Sequence, residues 1–271
     1  MQVGNSWTLC KIAGIPVRLN LSVVLLAAYV LYTFFSLEVP FFSLLVGVYI
    51  VGVLLASILL HELAHSLTAM AFGGRIREIT LQLLGGCALI TQMPALPWQE
   101  CLMAFAGPLC SLLIAGATWV GALVFGGFTE AWTPQGVITH FVPNQWFFVA
   151  ATLNFGLAIF NLLPAFPMDG GRILRSTLQI FGKSKVRATE IAVLVGRGFA
   201  ALWVFSAALD FLFGVTLPSP TWAPHWLAYL WDIIFGDGGV FRLLIAFMIW
   251  TSGQRELTFV RAEADYYGGW R

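Results

Sequence analysis

Apolar segments of roughly membrane-spanning length follow one another along the chain, separated by short polar stretches. A helix needs about 20 apolar residues to cross the hydrocarbon core of a bilayer. Six segments meet this requirement or come close to it: 17–35, 41–70, 99–126, 146–163, 188–213 and 226–252. The pattern therefore predicts an all-α polytopic membrane protein with about six transmembrane helices.

The stretch between the second and third segments has a different pattern. Residues 76–93, IREITLQLLGGCALITQM, alternate imperfectly between apolar and polar positions on both sides of Leu84, Gly85 and Gly86. Isoleucine and threonine, which favour strands, occur on both sides of the glycines. We therefore expect a membrane-associated β-hairpin between the second and third transmembrane helices.

Composition agrees with a membrane protein. The chain is 59% hydrophobic and 10% charged, against about 25% charged in ordinary soluble domains. We find no long polar insertion, repeat or low-complexity segment, so residues 1–271 are expected to form a single transmembrane domain in a lipid bilayer. The net charge is +1 and no basic stripe is present, so a nucleic-acid partner is not expected.

The distribution of lysine and arginine predicts the orientation. The linkers 36–40, 127–145 and 214–225 contain neither residue, and cytoplasmic loops are the ones enriched in them. With six crossings, both termini are cytosolic. Arg197 and Arg242 fall inside predicted helices, where we expect them to snorkel or to pair with a carboxylate.

The second segment carries the sequence HELAH. It has no proline and ends at Gly73-Gly74, so we expect one continuous helix. On that helix His61 and His65 lie one turn apart on the same face, and both can reach one ion. Glu62 follows the first histidine, which completes the HExxH signature of zinc metallopeptidases. Ionisable groups at bilayer depth are costly and usually functional. We therefore expect a zinc site at this helix.

A catalytic zinc usually has three protein ligands, so a third must come from elsewhere. Asp169 is favoured, since it lies at similar depth in FNLLPAFPMDGGRILR, residues 160–175. His140 and His225 remain alternatives, but both lie in linkers on the opposite side, and a folded-back loop would be needed to bring either one to the metal.

The backbone around Asp169 is expected to be irregular. Pro164 and Pro167 break the helix, and Gly170-Gly171 permits conformations closed to other residues. Irregular backbone at membrane depth occurs only where protein or a watery cavity surrounds it. A cavity containing a metal and water would meet that condition.

With these two motifs the chain resembles the site-2 protease family of intramembrane metalloproteases, whose signatures are HExxH and a later N-x-x-P-x-x-x-x-D-G. Asn161, Pro164 and Asp169 match the second signature, together with the following glycine. The likeness covers most of residues 45–180. It includes GGRIREITLQLLGGCALITQMP and ECLMAFAGPLCS, which stand where the family has its hairpin and next helix.

The resemblance implies a zinc ion bound by His61, His65 and Asp169, with Glu62 as general base. It implies that Asn161 holds the substrate backbone or the developing oxyanion. The expected activity is hydrolysis of a peptide bond in or near the transmembrane segment of a membrane-anchored protein substrate, as in regulated intramembrane proteolysis or clearance of signal-peptide remnants.

The resemblance also bears on architecture and location. No PDZ or CBS module is recognised in the sequence, so we expect a compact form of the enzyme. We expect it in the cell membrane of a prokaryote as a multi-pass protein.

A helical substrate conceals its carbonyl groups in its own hydrogen bonds, so the enzyme must bind an unwound stretch. The free edge of the predicted hairpin, around Leu84, Gly85 and Gly86, is expected to pair with such a stretch by β-augmentation. The alternative is an interfacial loop that does not contact substrate.

Three rival hypotheses remain. A metal or ion transporter could use the same histidine and aspartate cluster, but transporters often contain paired broken helices and only one is recognised here. A catalytically inactive chaperone would not need every chemical residue. A membrane zinc protease of the type that cuts prenylated proteins would use a glutamate as third ligand, and Glu78, Glu100 and Glu190 lack the required helical context.

Overall fold

The computed structural model describes residues 6–35, 40–82, 85–92, 96–125, 143–214 and 239–268. These residues form two compact units, Met1–Ile159 and Phe160–Arg271. In chain order the elements are β1 (Ser6–Ile12), β2 (Ile15–Asn20), α1 (Leu21–Phe35), α2 (Pro40–Ala71), β3 (Arg75–Gln82), β4 (Gly85–Gln92), α3 (Pro97–Val124), α4 (Pro143–Asn161), α5 (Asp169–Ile180), α6 (Lys185–Phe213) and α7 (Gly239–Gly268).

The first unit contains a four-stranded sheet in the order β1-β2-β3-β4. The predicted hairpin is its β3–β4 pair, in which Thr80 lies opposite Cys87. The β2–β3 pairing is parallel, and Arg18 of β2 forms an ion pair with Glu78 of β3 at 3.1 Å. The hairpin is therefore one half of a larger sheet, and a fold described as helices plus a hairpin is incomplete.

The first predicted helix is corrected at its start. Residues 17–20 belong to β2, and α1 begins only at Leu21. The turn between β1 and β2 has positive φ at both Ala13 and Gly14, as a tight hairpin turn requires. Ile15 and Val17 then point into the core of the first unit, because alternate residues of a strand face the same side.

Three helices in the described part of the chain are long and apolar enough to cross a membrane: Ser43–Ala71, Pro97–Val124 and Lys185–Phe213. Two shorter apolar helices, Leu21–Thr33 and Gln145–Asn161, match the first and fourth predicted segments. Of the sixth segment, residues 226–238 lie outside the described part and residues 239–252 belong to α7. The fold is mostly helical, as the hydrophobic pattern predicted.

Helix boundaries follow local chemistry. Helix α2 ends before Gly73, whose φ of +81° is the left-handed conformation expected at this position. Helix α6 begins after Ser184, whose hydroxyl accepts a hydrogen bond from the Arg187 N–H, and it ends at Gly214, which has a φ of +63°.

The second unit is held together by packing of α6 against α7 and of α5 against α6. The segment before α5 contributes Ala165 and Met168 to a buried cluster with Trp203 of α6 and Ile249 of α7. The segment that carries the second sequence motif is therefore part of a packed core.

Arg197 and Arg242, the two arginines inside predicted helices, both interact with other side chains. Arg242, with a side chain only 3% exposed, forms an ion pair with Asp210 at 2.5 Å and donates a hydrogen bond to the Ser206 hydroxyl at 3.2 Å. Arg197 instead stacks on Trp250 and donates to Gln254. The expected carboxylate pairing is confirmed for Arg242, and it joins α6 to α7.

Replacing Asp210 with asparagine should destabilise the protein by about 3 kcal/mol, because it removes the carboxylate that is ion-paired with the buried Arg242 guanidinium. Thermal unfolding of the purified protein in detergent would measure the change. The double variant Asp210→Leu/Arg242→Leu should recover most of the loss, since it removes both charges. A double variant no more stable than Asp210→Asn would contradict this explanation.

Candidate active site

The two histidines of HELAH are buried side by side on α2. His61 is 3% exposed and His65 is 7% exposed. Their Nε2 atoms lie 3.1 Å apart and their rings are nearly perpendicular. The helical spacing of four residues therefore brings two imidazoles together within an apolar helix, as the sequence predicted.

The other ring nitrogen of each histidine is held by α3. His65 Nδ1 lies 2.6 Å from the carbonyl oxygen of Met103, and His61 Nδ1 lies 3.0 Å from the hydroxyl of Ser111. A carbonyl only accepts, so a neutral His65 ring carries its proton on Nδ1, which leaves a lone pair at Nε2. This is the tautomer that a metal-binding histidine needs.

Helix α3 also leaves space for the imidazoles. Met103, Gly107 and Ser111 are four residues apart, so they form one stripe on the helix, and all three are buried. A Cβ added at Gly107 would lie 2.2 Å from His65 Nε2 and 2.7 Å from His61 Nε2. No side chain larger than hydrogen fits there while the rings keep these positions.

Glu62 lies against the hairpin. A Cβ added at Gly86 of β4 would lie 2.1 Å from Glu62 Cγ and 2.7 Å from its Cδ. The strand backbone therefore passes directly over the glutamate side chain, and glycine is what allows this approach. The structure thus brings together Glu62 and one member of the predicted substrate-binding group.

Asp169 and Asn161 lie on the two sides of the break in the second motif. Asn161 is the last residue of α4, and Asp169 is the first residue of α5 and is 8% exposed. The irregular turn between them is closed by backbone hydrogen bonds, including Met168 N–H to Ala165 O at 2.9 Å. The helix break predicted from the two prolines is confirmed.

The structure requires glycine after Asp169 for a different reason from the one expected. Neither Gly170 nor Gly171 has positive φ, because both are in the first turn of α5. A Cβ on Gly170 would instead lie 2.3 Å from the carbonyl oxygens of Leu162 and Leu163. Close approach of the helix to the preceding backbone, and not an unusual conformation, requires glycine here.

Three predicted or alternative site residues, Leu84, His140 and His225, lie outside the described residues. Conversely, sequence reasoning missed the roles of Ser111, Met103 and Gly107. The available signal was the stretch ECLMAFAGPLCS, in which these positions recur every fourth residue, but an apolar helix face of this kind looks like ordinary packing.

Comparison with known proteins identifies the family. The model of peptidase family M50 matches residues 49–142 and 133–203, together more than half of the chain. A putative zinc metalloprotease of Synechocystis sp., sll0528, is 37% identical over 59% of this chain and 39% of its own length. The zinc metalloprotease MJ0392 of Methanocaldococcus jannaschii is 32% identical over 74% of this chain and 54% of its own length.

The chain thus spans about half or less of the length of the curated relatives that it matches. Among solved structures, the site-2 protease from Methanocaldococcus jannaschii aligns with a TM-score of 0.57 and 25% identity, covering 93% of this chain and 95% of the other. The apolar helices agree with a membrane protein. On these grounds the chain belongs to peptidase family M50, the site-2 protease family.

Proposed function

We propose that this protein is an intramembrane zinc endopeptidase that cuts membrane-anchored substrates in or near their transmembrane segments. The observation that carries the proposal is the buried pair His61 and His65, with Nε2 atoms 3.1 Å apart and both Nδ1 atoms engaged by α3. Two imidazoles fixed in this way within an apolar helix are suited to share a cation. Membership of peptidase family M50 supports the same function.

The proposed zinc ligands are His61, His65 and Asp169. Each offers one ligand atom of a type that zinc binds, and all three are buried. The close fit at Gly107 and the tautomer of His65 suit a metal, since both leave the Nε2 lone pair available. A fourth position would remain for water, as in catalytic zinc sites.

A bound zinc would supply Lewis-acid polarisation and make water a nucleophile near neutral pH. Glu62 then acts as general base: it accepts the proton of the attacking water and delivers it to the leaving amine. Asn161, at the end of α4, is proposed to hold the substrate backbone or the developing oxyanion through its amide.

The hairpin is the proposed binding surface for substrate. Strand β4 is a terminal strand of the described sheet, and Gly86 on it contacts Glu62. An unwound substrate strand added beside β4, with contacts to Leu84, Gly85 and Gly86, would therefore be presented next to the general base. The alternative of an interfacial loop that does not touch substrate is less suited to this contact.

We also propose the membrane arrangement predicted from the sequence. Residues 1–271 would form one transmembrane domain with six spans, both termini in the cytosol, in the cell membrane of a prokaryote. The lysine and arginine distribution supports this orientation. The metal would then be reached by water from the cytosol.

The transporter alternative has no comparable support. Of the relatives named above, MJ0392 is named a zinc metalloprotease and sll0528 a putative one. A conduction site also gives no reason for Glu62 to lie beside a histidine pair, whereas hydrolysis does.

Glu62→Gln should reduce cleavage of a tethered transmembrane substrate by at least about a hundredfold, because the amide cannot act as a general base. This variant should retain bound zinc. Asp169→Asn should lower zinc affinity by at least about tenfold. Zinc content and single-substrate cleavage of the purified proteins measure both effects. Full activity of Glu62→Gln would exclude its proposed role, and zinc-dependent flux in liposomes would favour a transporter.

Gly107→Ala should weaken zinc binding by about tenfold to a hundredfold, because the new methyl group displaces the His65 ring. Gly116→Ala, on the same helix with nothing within 4 Å of its added Cβ, is the matched control and should bind zinc normally. Competition with a chromogenic chelator would measure the affinities. Equal zinc binding by the two variants would contradict the proposed position of the metal.

Gly86→Ala should reduce cleavage by about tenfold or more without loss of zinc, because it pushes Glu62 out of position. Gly52→Ala, on the helix that carries Glu62 but with nothing within 4 Å of the added Cβ, serves as control. Zinc content and turnover should be measured on the same samples. Loss of metal and turnover together would indicate general misfolding in place of a displaced base.

A further inference from the structure

A cavity lies in the second unit, and none of its lining residues is proposed for catalysis or metal binding. Its volume is about 430 Å³, and α5 and α7 form its sides. The apolar part of its lining is Phe166, Pro167 and Phe259. The polar part consists of Arg172, Ser252, Arg255 and Glu256.

The cavity has an excess of positive charge. Its carboxylate, Glu256, is already engaged by Arg175, which is buried behind it with a side chain 4% exposed. The guanidinium groups of Arg172 and Arg255 have neither an ion pair nor a hydrogen bond to any residue in the described part of the chain, although the backbone carbonyl of Arg172 accepts one from the Ser176 hydroxyl. Two guanidinium groups that no carboxylate in the described part of the chain pairs with therefore line one cavity.

The position of the cavity along α7 indicates its surroundings. From Val240 to Gln254 this helix contains one charged residue, Arg242, which is paired with Asp210. From Arg255 onward charged residues follow in quick succession. Trp250, typical of the membrane interface, lies one turn earlier with Arg197 stacked on it at 4.6 Å. The cavity thus lies where α7 leaves its apolar stretch.

We propose that this cavity binds the phosphate of an anionic phospholipid headgroup. Arginine matches phosphate with paired, charge-assisted hydrogen bonds, and the Ser252 hydroxyl can donate another. Basic pockets between helices on the cytoplasmic side are suited to such headgroups. Phe259, 66% exposed, provides apolar surface for the acyl chains, which a free phosphate ion would not use.

A lipid bound in the cavity would also contact residues of the second motif. Phe166 and Pro167 line the cavity and lie three and two residues before Asp169 in the sequence. Arg175 stacks on the Phe166 ring at 5.3 Å. A lipid in the cavity would therefore pack against the turn that leads into α5. The binding itself does not depend on zinc or on proteolysis.

Native mass spectrometry of the full chain in detergent tests the proposal. The probes are phosphatidylglycerol and, as the uncharged-headgroup reference, phosphatidylcholine. Arg172→Gln/Arg255→Gln should bind phosphatidylglycerol about tenfold more weakly than the original protein, with phosphatidylcholine binding unchanged. Lys183→Gln/Arg187→Gln removes the same charge outside the cavity and should have no effect. An equal loss in both double variants would overturn a specific site.

Two further measurements complete the test. Ser252→Asp retains both arginines but places a carboxylate in the cavity, so it too should lose phosphatidylglycerol, and normal binding by this variant would overturn the proposal. Displacing bound phosphatidylglycerol with inorganic phosphate should need a far higher concentration than displacing it with added phosphatidylglycerol. Displacement at equal concentration would identify free phosphate, and not a lipid, as the ligand.

Discussion

The cost of burying two imidazoles in an apolar helix is the constraint on which the active-site half of the structure depends. Polar groups taken out of water must have partners, and α3 supplies one to each ring through the Met103 carbonyl and the Ser111 hydroxyl. Those contacts fix both ring orientation and, for His65, the tautomer. The remaining nitrogens are thereby directed toward each other, and the packing of α2 on α3 becomes a requirement of the chemistry.

Glycine recurs at the positions where the backbone comes very close to a neighbouring group. Gly107 makes space for the histidine rings, Gly86 lets the hairpin cross Glu62, and Gly170 lets α5 begin against the preceding carbonyls. In each case backbone must come closer to a neighbour than a Cβ would permit. The surroundings of the histidine pair, the hairpin and the start of α5 therefore depend on close backbone approach, which explains why glycine lies beside the His61, His65 and Glu62 side chains.

In the second unit, the arginines of α7 have different surroundings in its apolar stretch and beyond that stretch. Where the helix is apolar, Arg242 is neutralised by Asp210, and beyond Trp250 the arginines become accessible. Arg175 is tied to Glu256 and to the Phe166 ring, so the turn before Asp169 is braced by a charged side chain as well as by apolar packing. Arg172 and Arg255, which have no ion-pair partner among the described residues, are not explained by these contacts, and a bound lipid would explain them.

The sequence by itself determined the helical segments, the break at Pro164 and Pro167, the hairpin and the shared helix face of His61 and His65, because hydrophobic period and residue spacing are local properties. The predicted first helix begins at residue 17 and so includes part of β2, because the apolar run continues from Val17 and Leu19 into α1. Only the tertiary structure decided the parallel pairing of β2 with β3, the partners of the imidazoles and the reason for Gly170. These depend on which distant surfaces meet, and an apolar helix face gives the same sequence signal whether it packs against a ligand-bearing helix or against lipid.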